Sequence, residues 1–184
     1  MAKRYEAIFA GTGGRGVLTA GQILTQVGLN YYPHVLYFPS YGTEMRGGSS
    51  ECTVVLSESP IGSPVLTQAK VMVMFDISQM GTFANRIKPG GLLILESSTL
   101  SDADKAKIPG NVKVVNVPAL KIAGDIGDMR TINLVLLGAY VQATGVLAPD
   151  LVEAQLKKRF LEKGLMKVLD INVGAFRQGL KAAA

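Results

Sequence analysis

One stretch near the N-terminus narrows the available folds more than any other. Tyr5-Glu6-Ala7-Ile8-Phe9-Ala10 has the composition of a strand, and it passes directly into Gly11-Thr12-Gly13-Gly14-Arg15-Gly16. Val17, Leu18, Ile23, Leu24 and Val27 then recur at helical spacing. Strand, glycine turn and helix in that order predict the start of an alternating α/β fold. Val35-Leu36-Tyr37-Phe38 and Thr53-Val54-Val55-Leu56 are further strand candidates. Val71-Met72-Val73-Met74-Phe75 and Leu92-Leu93-Ile94-Leu95 are continuous apolar runs, as expected of central strands covered on both faces. Residues 77–87 read as the crossover helix between them, ended by Pro89-Gly90, and Val112–Val117 reads as a last strand. The expected architecture is a Rossmann-like, three-layer α/β/α sandwich with a mainly parallel, at most mixed, sheet.

Residues 131–144 are apolar nearly all round, with Leu134, Val135, Leu136, Leu137, Ala139 and Val141, and Gly145 follows as a natural stop. A helix without a polar face needs cover on every side, and another subunit is expected to supply part of it. Pro149 suits the first turn of a further helix, and residues 165–180 complete a helical C-terminal region. With 184 residues and no repeat or linker, the chain reads as one domain spanning 1–184.

Composition removes several classes of function. Apolar residues make up 48% of the chain and charged residues 18%, with mean hydropathy +0.27, which excludes disorder. No apolar run approaches the roughly 20 residues of a membrane span, and no signal or transit peptide is readable, so a cytoplasmic location is expected. The lone cysteine, Cys52, excludes an internal disulfide and the grouped thiolates of a zinc site or iron–sulfur cluster. His34, between Pro33 and Val35, has no acidic neighbour in sequence and reads as a half-buried or surface imidazole before a catalytic base. The net charge is +5; residues 151–184 hold seven basic and three acidic side chains, spaced as the wet face of helices, without the aromatic interleaving of a nucleic-acid surface.

Two segments carry candidate chemistry. Gly11-x-Gly13-x-x-Gly16 matches the dinucleotide fingerprint in its required context, where missing Cβ atoms let backbone approach a phosphate at a helix N-terminus. A nicotinamide or flavin site adds an acidic residue about 20 positions on, at the end of the second strand, but that strand runs Leu36-Tyr37-Phe38-Pro39 and the next carboxylate is Glu44. The turn therefore reads either as tight packing or as a contact for some other anion, with Arg15 adding a cation. Gly13 is expected to tolerate no bulky side chain. The second segment is Ser40-Tyr41-Gly42-Thr43-Glu44-Met45-Arg46-Gly47-Gly48-Ser49-Ser50. It is too polar for a core, and it reads as a surface hairpin or as an interface or ligand loop with Tyr and Arg as anchors.

Taken with Thr131-Ile132-Asn133-Leu134, Leu137-Gly138-Ala139 and Asn172, Ala175, Phe176 and Gly179, these segments make the chain resemble, over nearly its whole length, the gamma subunit of 2-oxoacid:ferredoxin oxidoreductases. Arg15 stands where glutamine is usual in that family, and Thr43 where proline is usual. The resemblance implies a multisubunit enzyme that uses thiamine diphosphate, iron–sulfur clusters and coenzyme A to convert a 2-oxoacid to acyl-CoA and carbon dioxide, passing electrons to ferredoxin. It implies thiamine-binding alpha and beta subunits and a ferredoxin-like delta subunit as partners, with no membrane or nucleic acid involved. The nearest thing to a thiamine-type Gly-Asp-Gly element is Gly124-Asp125-Ile126, which fails at its third position and is followed by Asp150 where an asparagine is wanted. No catalytic, metal or cofactor site is therefore expected in this chain alone. Gly11, Gly13, Gly14, Arg15 and Gly16 are the expected anion or coenzyme A contacts, and Tyr41, Glu44, Arg46, Gly47 and Gly48 the expected subunit interface. The residues leave two competing functions open: an independent dinucleotide-binding oxidoreductase, and a protein-binding module with no enzyme partners.

Overall fold

The computed structural model describes residues 2–41 and 48–184, with Tyr41 described by its backbone alone. Six strands form one sheet: β1 (Arg4–Thr12), β2 (His34–Tyr41), β3 (Ser49–Ser57), β4 (Ala69–Met74), β5 (Ile87–Glu96) and β6 (Lys113–Val117), in the order β2-β3-β1-β4-β5-β6. β3 runs antiparallel to both β1 and β2, while β1, β4, β5 and β6 pair in parallel. One reversed strand thus makes an otherwise parallel sheet mixed. β2 is an edge strand, where Pro39 is tolerated although it has no N–H to donate to a ladder.

The central strands are apolar on both faces because both faces are covered. In β1, Ala7 and Phe9 join the larger core while Ile8 and Ala10 join the smaller one on the other side. The larger core is roofed by α1 (Val17–Gly28), α4 (Ala119–Ile126), α5 (Ile132–Thr144), α6 (Pro149–Glu162) and α7 (Leu169–Ala182). The smaller is closed by Ile77, Met80, Phe83 and Ile87. That second cover departs from the expected helix. Residues 77–86 form two 3₁₀ turns, Ile77–Gln79 and Ala84–Arg86, around the single helical turn α2 (Met80–Phe83). Gly81, Thr82, Phe83 and Asn85 are weak helix formers, so a long helix has little local support. Pro89-Gly90 does not end a helix but lies within β5, where the register against β4 shifts and Gly90 takes φ 74°. A one-turn helix, α3 (Asp102–Lys105), precedes β6 and is closed by a capping box between Ser101 and Asp104.

α5 is buried from Ile132 through Val141 within this chain. The expected cover from another subunit is unnecessary, because α7 packs antiparallel along α5 at backbone distance. A Cβ on Gly138 would overlap the Phe176 carbonyl, and one on Gly179 would overlap the Val135 carbonyl. Two glycines that in the sequence served only to carry the family resemblance let a helix with no polar face find a partner in its own chain. Tyr140 closes the other side of α5 against Phe9, with ring centres 5.4 Å apart.

Candidate functional site

Leaving β1, the chain passes through α1 to the β2 side of the sheet; from β3 it crosses to β4, β5 and β6 on the other side. The carboxyl ends of β1 and β4 therefore flank a topological switch point, the place where open α/β sheets hold ligands. The Gly11–Gly16 turn lies there. Gly11 stands so close to β4 that its Cβ would come within 2.7 Å of Phe75 Cβ. Gly14 and Gly16 take left-handed φ of 91° and 77°. Gly13 and Gly14 are open to solvent.

Gly13 differs from the expectation placed on it. Its φ is not in the left-handed range, and a Cβ would meet only the Gly48 carbonyl oxygen, at 3.5 Å. The restricted positions are Gly11, Gly14 and Gly16. What Gly13 does is donate its N–H to the Gly48 carbonyl at 3.0 Å, which joins the two segments singled out in the sequence. Glu44, Arg46 and Gly47 lie outside the described residues, as does the side chain of Tyr41.

Asp76, just beyond β4, organises the turn. Its carboxylate accepts from the Thr12 hydroxyl at 2.7 Å and the Ser78 N–H at 3.0 Å, and pairs with Arg15 at 3.2 Å. Burial works to raise the Asp76 pKa, but the hydrogen bonds from Thr12 and Ser78 and the Arg15 charge outweigh it and hold the group below the usual carboxylate value. Arg15 also donates to the Phe75 carbonyl at 3.4 Å. Its charge is therefore largely matched inside the chain, and the turn does not rely on a free cation. Sequence reading did not single out Asp76; the cue was an Asp between an apolar strand and a short helical segment, the position of a cap.

The second residue not assigned to the site is Asn133, in the first turn of α5. It is only 8% exposed and lies over Gly16, whose Cβ would sit 2.7 Å from Asn133 Nδ2 and 2.9 Å from its Cβ and Cγ. Its cue was an amide inside an otherwise apolar helix. Other groups fit the reactive parts of the implied enzyme poorly. Cys52 is buried at the α1–β3 contact, with its thiol pushed up to about 12 by burial and the Glu51 charge. Gly124-Asp125-Ile126 forms the last turn of α4, where Asp125 pairs with Lys121 at 3.1 Å. Among the described residues no three His, Cys, Asp or Glu side chains gather as a metal site, and no helix is long and apolar enough to cross a membrane.

An open, mainly parallel sheet with a glycine turn at its switch point defines a Rossmann-like α/β domain. The family model for pyruvate ferredoxin/flavodoxin oxidoreductase matches residues 6–182, and the chain belongs to that family. It is 34% identical to the ketoisovalerate oxidoreductase subunit VorA of Methanothermobacter marburgensis over 92% of its length, but spans only 34% of that protein. It is 30% identical to the 2-oxoglutarate synthase subunit KorC of Methanothermobacter thermautotrophicus, covering 84% of each chain. The gamma subunit of a keto/oxoacid ferredoxin oxidoreductase from Geobacter sulfurreducens superposes with a TM-score of 0.82 at 27% identity, over 98% of this chain and 97% of that one.

Proposed function

We propose that the chain is the gamma subunit of a multisubunit 2-oxoacid:ferredoxin oxidoreductase, an accessory chain that completes an enzyme turning a 2-oxoacid into acyl-CoA, carbon dioxide and reduced ferredoxin in the cytoplasm. The observation that carries this reading is the end-to-end likeness to the Geobacter gamma subunit. KorC, matched over most of its length, supports it, and VorA, of which the chain spans about a third, carries the same domain within a longer polypeptide. Thiamine diphosphate and the iron–sulfur clusters belong to partner alpha, beta and delta chains, since Cys52 and Gly124-Asp125-Ile126 are poorly suited to hold them. Coenzyme A supplies the acyl acceptor, and the fit of the glycine turn to an anion makes Gly11, Gly13, Gly14, Arg15 and Gly16 the region that meets its phosphates. Arg15 acts there by bracing the turn against Asp76. Tyr41, Glu44, Arg46, Gly47 and Gly48 form the contact with the thiamine-binding chains, tied to the turn through Gly48.

Purification of the tagged chain from its own cells tests this reading. Thiamine diphosphate, iron and the partner chains are expected in the eluate, with 2-oxoacid-dependent and coenzyme-A-dependent dye reduction. A chain that elutes alone, or with bound NAD or FAD, would favour one of the competing functions.

A further inference from the structure

The end of the sheet opposite the glycine turn is strongly basic. β1, β4, β5 and β6 run parallel, so the turn follows the carboxyl end of β1 while the first residues of β4, β5 and β6 gather at the other end. Lys70, Lys88 and Lys113 each stand first or second in their strand. All three line one hollow of about 510 Å³, together with the apolar Pro89, Leu92 and Ala143, and no acidic residue among those described lines it. That volume lies in the range of small-molecule sites.

The backbone is shaped to bring these lysines together. In the bulge of β5, Gly90 takes φ 74° and donates its N–H to the Asn111 carbonyl at 2.7 Å, which ties β5 to the approach of β6. A Cβ on Gly91 would come within 2.7 Å of the Lys88 carbonyl oxygen and 2.8 Å of the Lys70 carbonyl oxygen. Any side chain at position 91 would push the starts of β4 and β5 apart.

The charges are only partly answered. Lys88 pairs with Glu6 at 2.7 Å, and Arg4 meets the other oxygen of the same carboxylate at 2.9 Å. Burial works to raise the Glu6 pKa, but Lys88 and Arg4 outweigh it and hold the group below the usual carboxylate value, so it stays ionised. Among the described residues the ammonium groups of Lys70 and Lys113 have no partner. The carboxyl end of α5, where Ala143 lies, adds roughly half a negative charge. Four cations thus face one carboxylate and a helix end. Gathered like charges repel one another, and a bound anion removes that cost. The lining cations are three lysines and no arginine. Lysine serves phosphate as a point charge, whereas carboxylates are clamped best by the planar fork of arginine.

We propose that Lys70, Lys88 and Lys113 form a binding site for the di- or polyphosphate group of a small molecule. The site goes beyond the subunit reading and does not depend on it.

Calorimetric titration of the full chain, without magnesium, tests it with inorganic pyrophosphate, ATP and citrate as separate probes. Pyrophosphate and ATP are expected to bind, and Lys70→Gln combined with Lys113→Gln to weaken both by about tenfold or more. Both side chains are exposed and unpaired, so this variant should fold and, without ligand, melt no lower than the parent. Lys163→Gln combined with Lys167→Gln removes the same charge from exposed positions that do not line the hollow, and should weaken binding by about twofold at most. ATP binding more tightly than pyrophosphate would make the source a phosphate ester that also lies against Leu92 and Ala143, and equal affinity would make it the free inorganic anion; either result supports the site. Pyrophosphate that does not bind, citrate that binds as tightly, or equal weakening by the two double variants would overturn the proposal, the last by showing attraction to net charge alone.

Discussion

Replacing Gly16 by alanine isolates the physical demand at the centre of the site. Two costs add. An L-residue at φ 77° pays roughly 1–2 kcal/mol for the left-handed conformation. The new Cβ also falls 2.7–2.9 Å from three atoms of the Asn133 side chain, a buried overlap of the kind that costs about 1–3 kcal/mol. The sum, about 2–5 kcal/mol, lowers the melting temperature of a domain this size by roughly 4–20 °C. Thermal unfolding of the lone chain measures it, and Gly13→Ala is the internal control. There the Cβ meets only the Gly48 oxygen at an ordinary 3.5 Å, so stability should change by no more than about 1 kcal/mol in either direction. Repeating Gly16→Ala in an Asn133→Ala background removes the Nδ2 and Cγ overlaps while the Cβ at 2.9 Å remains, so the penalty should fall part of the way toward the backbone cost of about 1–2 kcal/mol. A Gly16→Ala chain that melts with the parent, or a penalty that stays the same once Asn133 is shortened, would refute the contact on which the site is built.

Leu136 is fully buried in α5, so Leu136→Asp should unfold or aggregate the chain by enclosing an unpaired charge, and an unchanged melting temperature would show an open face on that helix. Glu153 is held near pKa 2 by hydrogen bonds from Arg177 and Lys157. Its folded value lies below the ordinary 4.5, so the stability it lends is complete above about pH 4.5 and is lost as pH falls toward 2, and Glu153→Gln should flatten the acid limb of a melting-temperature profile in that window. Arg46→Ala should leave the melting of the lone chain within about 0.5 kcal/mol of the parent, while reconstitution with thiamine-binding chains weakens by about 2 kcal/mol or more; a variant that reconstitutes fully would remove Arg46 from the interface.

How much of this was legible in the sequence depended on whether a feature was local. The strand–turn–helix opening, the buried strands β4 and β5, and the extent of α5 each follow from periodicity within a short window. The crossover at 77–86 did not, because its apolar residues fit helical spacing while the backbone is set by Gly81, Asn85 and the bulge at Gly90. Cover for α5 was sought outside the chain because the matching surface, Gly138 against Phe176 and Gly179 against Val135, joins residues about 40 positions apart. The site followed the same rule. The glycines announce themselves by spacing, but Asp76 and Asn133 enter it only through folding, one from the next parallel strand and the other from a helix more than 100 residues downstream. Arg15 was visible as a cation, whereas its engagement by Asp76 was not.

The central claim, that this chain is an accessory subunit without an active site of its own, is tested most directly by omission from a reconstituted enzyme. The thiamine-binding and cluster-binding chains would be assembled with and without it, and coenzyme-A-dependent reduction of a viologen dye by a 2-oxoacid measured in each mixture and for the chain alone. The account predicts activity only in the complete assembly, none from the isolated chain, and restoration when the chain is added back. Full activity without it, or turnover by the isolated chain, would contradict the account.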